Sequence, residues 1–383
     1  MALKIARRAL VPPFIVMDVL RAANDREAAG EEVLHLEVGQ PGTPAPAPVR
    51  AAAAAALETA KIGYTDALGL RSLRARIARS YAELYGVELD PARVVVTTGS
   101  SGGFLLSFLA SFEPGDRVAL AAPGYPAYRN ILASLGVEPV LLPCDLEHRF
   151  QPTADLLDRV AEPLDGLILA SPSNPTGTML ERSALTNLVD YCASRRLRLI
   201  SDEIYHGIAY EAPAVSALEL TDRAIVINSF SKYYSMTGWR LGWMVLPEDL
   251  LRPVECLAQN LFISPPTLSQ IAAEAAFDCR EELDGYVAAY ARNRALLLGE
   301  LPKAGFDRLA PADGAFYLYA DVSRLTNDSE DFCRRMLAET GVAITPGIDF
   351  DPERGHRFVR FSFAGLEAEM AEAAERLAAW LKG

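Results

Sequence analysis

The chain has 383 residues, 50% of them hydrophobic and 23% charged. That is a globular composition with length for two or three domains at ~150 residues each, and it excludes disorder over most of the chain. With 37 Lys+Arg against 50 Asp+Glu the formal net charge is −13, so a nucleic-acid partner is not expected.

No apolar run reaches the ~18–20 residues of a membrane span. The apolar N-terminal stretch is broken by Pro12, Pro13 and Asp18, and no leader peptide is expected. Cys144, Cys192, Cys256, Cys279 and Cys333 are widely spaced without a CxxC, the pattern of reduced thiols in a cytoplasmic protein. The four histidines are scattered, and no metal site is expected.

In chain order, Gln40–Pro48 reads as an extended, proline-rich loop, and Ala51–Ala56 as a helix face. Strand patterns follow at Arg93–Thr98, Arg117–Ala122, Val137–Leu142, Gly166–Ala170, Arg198–Asp202, Ala224–Ser229 and Leu241–Leu246. Helical patterns at Gly103–Phe112, Tyr125–Leu135, Thr153–Val160 and Ser183–Arg196 alternate with them. This alternation predicts an α/β fold whose mostly parallel seven-stranded sheet is sandwiched by helices. Beyond residue 250 the pattern becomes α+β. Helices are expected at Pro266–Asp278, Glu281–Leu301, Ser329–Thr340 and Leu366–Leu381, and strands at Ala315–Asp321, Val342–Thr345 and Arg357–Phe363. The expected division is a large domain over 48–285, with 1–47 and 286–383 forming an N-terminal arm and a smaller domain.

Ligands of open α/β sheets bind beyond the carboxyl ends of the strands. Four such ends carry chemistry. Gly99-Ser100-Ser101-Gly102-Gly103 leads into a helix, either as a tight turn with a serine N-cap or as a phosphate cradle. Ser171-Pro172-Ser173-Asn174-Pro175 presents Asn174, and Asp202 ends the next strand, followed by Tyr205. Ser229-Phe230-Ser231-Lys232, with Arg240 eight residues on, sets a lysine behind a buried strand in a chain with only five lysines. A desolvated lysine becomes a usable amine nucleophile or base. His206 reads as a loop or packing residue. An amine, a phosphate cradle and a carboxylate for a pyridine nitrogen are together what pyridoxal 5'-phosphate requires.

The motifs LEVGQPGTPAP, GYTDALGLRSLR, VVVTTGSSGG, APGYPAY, SPSNPTG, SDEIYHGI, SFSKYYSMTGWRLGW, DGAFYLYAD, TPGIDF and RFVRFSF run in order over nearly the whole chain. In this the sequence resembles the class I/II aminotransferases of fold type I, the aspartate-aminotransferase-like pyridoxal-phosphate enzymes. The resemblance implies that Lys232 carries the cofactor Schiff base and shuttles the proton at the substrate Cα. It implies that Asp202 faces the pyridinium nitrogen, that Asn174 and Tyr205 bond the phenolic oxygen, and that Tyr125 stacks on the ring. Ser100, Ser101, Ser229 and Arg240 are similar to the phosphate-binding set. Tyr64 matches a tyrosine that reaches the neighbouring subunit's phosphate, which implies a homodimer with shared sites. Arg360 is similar to the arginine that clamps the substrate α-carboxylate, with Gly39 as a backbone contact to it.

The implied reaction is ping-pong transfer of an amino group from an L-amino acid to a 2-oxo acid. A carbon–sulfur β-lyase would use the same site, and a non-catalytic ligand-binding relative is the reading from a different class. The family's DNA-binding regulators carry a winged helix before this domain, whereas only some 35 residues precede LEVGQPG here. Aspartate-specific members of a related branch carry a lysine where Ser101 stands, so that mechanism for aspartate is not expected. Tyr233, Tyr234, Phe316 and Tyr317 would suit an apolar or aromatic substrate, with core packing the expected use of the last two.

Overall fold

The computed structural model describes residues 3–382. A short strand β1 (Leu34–His35) precedes the large sheet, which is built from β2 (Val94–Thr97), β3 (Arg117–Ala122), β4 (Glu138–Pro143), β5 (Gly166–Ala170), β6 (Arg198–Asp202), β7 (Ile225–Ser229) and β8 (Gly242–Val245). Their spatial order is β2-β8-β7-β6-β5-β3-β4. All neighbours run parallel except at β8, which is antiparallel to both β2 and β7. Each strand expected in this region is present to within one residue at either end.

The strands read as continuous apolar runs because both faces are covered. Val94 and Val96 face one core, shared with Leu73, Ile77, Leu185 and Leu188. Val95 points the other way, into a core with Phe104, Phe108, Leu132 and Val254. The period-two alternation of the pleat thus sorts adjacent valines to opposite layers.

The second sheet is antiparallel, in the order β11 (Thr345–Pro346), β12 (Phe358–Ser362), β9 (Tyr317–Asp321), and β10 (Val342–Ala343) pairs with β1. The single strand expected over Val342–Thr345 is therefore two strands with different partners. This sheet has its own core around Leu36, Phe316, Phe361 and Phe363. The helix Arg280–Glu300 joins the two cores: Leu283 belongs to the large one, Tyr290 and Leu297 to the small one. The expected boundary at residue 285 falls inside this helix.

Three helices escaped the sequence reading: Ile15–Ala28, Arg71–Tyr85 and Leu251–Leu261. In Arg71–Tyr85 the buried Leu73, Ile77 and Tyr81 follow an i, i+4, i+8 spacing, diluted by exposed charges. In Leu251–Leu261, Pro253 lies in the first turn, where a missing N–H costs nothing.

Asn293, buried in the joining helix, donates from Nδ2 to the carbonyls of Phe363 (2.9 Å) and Gly365 (2.8 Å). Asn293→Ala leaves both carbonyls unpaired. The expected loss is about 3 kcal/mol of unfolding free energy, read from the urea midpoint; an unchanged midpoint would contradict this role for the tie.

Candidate active site

The carboxyl ends of β5, β6 and β7 lie side by side, so Asn174, Asp202 and Lys232 converge although the chain separates them. The Lys232 ammonium donates from Nζ to the Gly39 carbonyl at 2.5 Å. It lies 5.7 Å from the centroid of the Tyr205 ring and 6.0 Å from that of Phe316. Desolvation, reinforced by the positive charge of Arg360 and Arg240, pushes its pKa down to about 8.

Asp202 is buried, and burial raises its pKa to about 7 against the pull of its hydrogen bonds. Tyr128 donates its hydroxyl to Asp202 Oδ2, and the Ile204 N–H donates to Oδ1 at 3.1 Å. Neither partner is charged. A carboxylate so placed gains most from a cation brought beside it.

The helix expected from Gly103 starts at Gly99 and runs to Ser111. Ser100 and Ser101 are therefore in its first turn. No side chain caps this end, so its first N–H groups are free to bind an anion. Gly99 has φ +71°, and a Cβ there would lie 2.7 Å from Arg240 Nη2. Only glycine leaves room for the guanidinium against the helix start. Arg240 spends one N–H on the Thr237 carbonyl (3.1 Å). The Ser229 hydroxyl lies 3.1 Å from the Leu241 carbonyl and 2.9 Å from Ser231 Oγ, so Ser231 belongs to this cluster too.

Arg360 projects from the middle of β12 and is buried. It donates from Nη1 to Asn174 Oδ1 (2.9 Å), and from Nη2 to the Glu37 carbonyl and to Thr345 Oγ1 (3.1 Å). Its Nε–H is buried with no partner. Three of the five guanidinium N–H groups are thus held by protein and two remain for a ligand. The guanidinium stacks 4.5 Å from the Tyr317 ring centroid and 4.8 Å from that of Phe350.

Tyr317 is in the core of the second sheet, as expected, and its hydroxyl also borders this cluster. Its hydroxyl meets that of Tyr205 at 2.6 Å, and a Cβ on Gly39 would lie 1.7 Å from the Tyr317 oxygen. Gly39 is glycine because this hydroxyl occupies the space. Tyr125 leads the helix Pro126–Leu135, with its ring edge-on to Phe14 (5.6 Å) and Tyr128 (5.2 Å). Burial lifts its phenol to about 12, keeping it neutral. Tyr64 is 83% exposed, and Ser101 and Arg240 are exposed as well. Tyr233 donates to Asp284 and Tyr234 packs on Phe230, Trp243 and Phe277, so neither joins the site. His206 is a buried packing residue, bonded to Tyr85 and to the Ser171 carbonyl, and burial lowers its pKa to about 4.

Sequence reasoning missed Tyr128, Thr345 and the Glu37 carbonyl, and named Tyr317 only as an aromatic that would suit a substrate or pack in the core. The Tyr128 signal was available, since it follows Tyr125 by one helical turn on the site-facing side. The Glu37 contact is made by backbone and has no side-chain signature.

The sequence profile of the family "Aminotransferase class I and II" matches residues 31–377. The valine–pyruvate aminotransferase of Mycobacterium tuberculosis is 55% identical over 382 residues, covering 99% of this chain and 98% of that protein. A crystal structure of an aminotransferase from Mycobacterium tuberculosis superposes with a TM-score of 0.97 at 53% identity, with both chains fully covered. The aspartate aminotransferase of Thermus thermophilus with maleate superposes at 0.92 and 29% identity, covering 99% of this chain and 100% of that one. The chain belongs to the class I and II aminotransferases, a pyridoxal-phosphate-dependent family of fold type I, and is an enzyme that moves amino groups between amino acids and 2-oxo acids.

Proposed function

We propose that this enzyme transfers the amino group of a branched aliphatic L-amino acid, valine foremost, to pyruvate, using pyridoxal phosphate held by its own residues. The substrate assignment rests on the 55% identical valine–pyruvate relative. It is supported by Ser101 standing where a lysine would serve a distal carboxylate, and by the apolar Phe14 ring against Tyr125.

The residues fit the cofactor. The uncapped helix start at Ser100 and Ser101, the Arg240 guanidinium and the Ser229–Ser231 hydroxyl pair would hold the phosphate. Asp202 would hold a proton on the pyridine nitrogen, gaining the cation its burial calls for. Tyr205, with Asn174, would donate to the phenolic oxygen, and Tyr125 would cover the ring. Bound there, the cofactor supplies an electron sink for negative charge at the substrate Cα.

The remaining work is done by the chain. Arg360 would bind the α-carboxylate through its guanidinium, a planar group whose fork a lysine lacks. Lys232 Nζ accepts the α-proton and delivers it again, and its depressed pKa suits both directions near neutrality. The single observation that carries this reading is that amine, half-buried, tied to Gly39 and within the field of Arg360.

We also infer a cytoplasmic homodimer. The five cysteines are all free, and among the described residues no helix is long and apolar enough to cross a membrane. Tyr64 and its near neighbour Ile62 are both exposed, as a surface for a second copy would require.

Alanine formed from valine and pyruvate by the purified holoenzyme is the direct assay. Lys232→Ala should lower its rate by at least ~10³-fold; ammonium release without an acceptor would instead indicate the lyase. Capture of pyridoxal phosphate by the cofactor-free protein needs the neutral amine, so its rate should rise with pH through about 8. A rise centred near the ordinary lysine value would contradict the site's desolvation. Arg360→Lys should raise KM for valine by about 30–100-fold, the worth of one bidentate contact. Tyr64→Ala should weaken cofactor retention on dialysis while sedimentation still reports a dimer; retention equal to the parent's would remove Tyr64 from the site.

A further inference from the structure

Glu37 is fully buried, and one of its carboxylate oxygens, Oε2, has no partner. The other, Oε1, lies 2.8 Å from His35 Nδ1. The second His35 nitrogen, Nε2, lies 3.2 Å from Glu27 of the helix Ile15–Ala28. The main chain of the same short segment holds both reactive cations. The Glu37 carbonyl accepts from Arg360 and from Thr345 Oγ1 (2.8 Å), and the Gly39 carbonyl accepts from Lys232. Upstream, Leu34 and Leu36 are fixed by backbone hydrogen bonds to Gly341 and Ala343. Downstream of Leu36, the Glu37 side chain is the tie that binds the segment to the N-terminal helix.

We propose that Glu37 is a positioning residue for amino transfer: its carboxylate, clasped by His35 and through it by Glu27, sets the carbonyl that aims Arg360 at the substrate carboxylate. The proposal rests on the role given above to Arg360. A buried carboxylate with an idle oxygen is costly and is kept where its geometry is used. The charged groups around the clasp are Glu27 on the neighbouring helix, Glu37 itself and Arg360 behind the carbonyl; Arg26 is taken up by Glu31. The Glu37 hydrogen bond lifts His35 to about 9, against its partial desolvation. The clasp is therefore complete at neutral pH and is lost as pH rises through about 9.

The test uses the holoenzyme and isovalerate, a carboxylate that lacks the amino group and cannot react. Glu37→Gln should weaken isovalerate binding and raise KM for valine about tenfold, with kcat changed less than about threefold. The His35 imidazole, followed by NMR, should titrate near its ordinary value in this variant. His35→Gln, at a half-exposed position, should reproduce the KM effect if Glu37→Gln folds poorly. Binding of isovalerate by both variants as tightly as by the parent would overturn the proposal, as would a fall in kcat with KM unchanged. If the parent itself does not bind isovalerate, the role of Arg360 fails instead.

Discussion

Two groups of opposite sign that do not touch, a buried carboxyl and a half-buried amine, define this molecule. Asp202 ends β6 with only neutral hydrogen-bond donors, and Lys232 follows the adjacent β7 with a carbonyl as its one partner. Burial pushes the carboxyl up and the amine down, each toward neutrality. A direct salt bridge would have relieved both. The parallel sheet instead fixes their backbones in neighbouring strands, and the gap leaves both charges for a ligand that offers a cation to one and an electrophile to the other.

The surrounding structure serves that separation. Tyr128 keeps a proton on offer to Asp202, which limits the rise of its pKa. Arg360, on the second sheet, adds positive charge near Lys232 and so favours the free amine. It is itself held by a side chain of the large sheet, Asn174, and by the Glu37 carbonyl. The site is thus a meeting of two sheets, and the helix Arg280–Glu300 ties their cores together. Small side chains set the tolerances: Gly39 admits the Tyr317 hydroxyl and Gly99 admits the Arg240 guanidinium.

Much of this was legible in the chain. Apolar β-branched runs located the seven central strands because burial on both faces leaves a continuous signal. Lys232, Asp202 and Asn174 stood out because each lies at or just beyond a strand's carboxyl end, where a polar residue faces a crevice, and Arg240 by its spacing from Lys232. Arg360 came from the family resemblance, since a buried arginine in mid-strand has no periodic signature. What stayed hidden is physically coherent. For Tyr317, named among the aromatics of its strand, only the hydroxyl's contact with Tyr205 was hidden. Glu37 contributes a carbonyl, which every residue has. Tyr64 is exposed in the single chain, so the role proposed for it would need a second copy. The helix Gly99–Ser111 began four residues early because its glycines and serines look like a turn, although free N–H groups at that end are what an anion needs.

The central claim is amino transfer from a branched aliphatic amino acid through Lys232. It is tested most directly by following the visible absorption of the protein loaded with pyridoxal phosphate, without any second substrate. Valine alone should discharge the yellow band stoichiometrically, pyruvate should restore it, and aspartate should act far more weakly. A band that valine leaves untouched while aspartate removes it would contradict the substrate assignment, and a protein that takes up no cofactor would contradict the site itself.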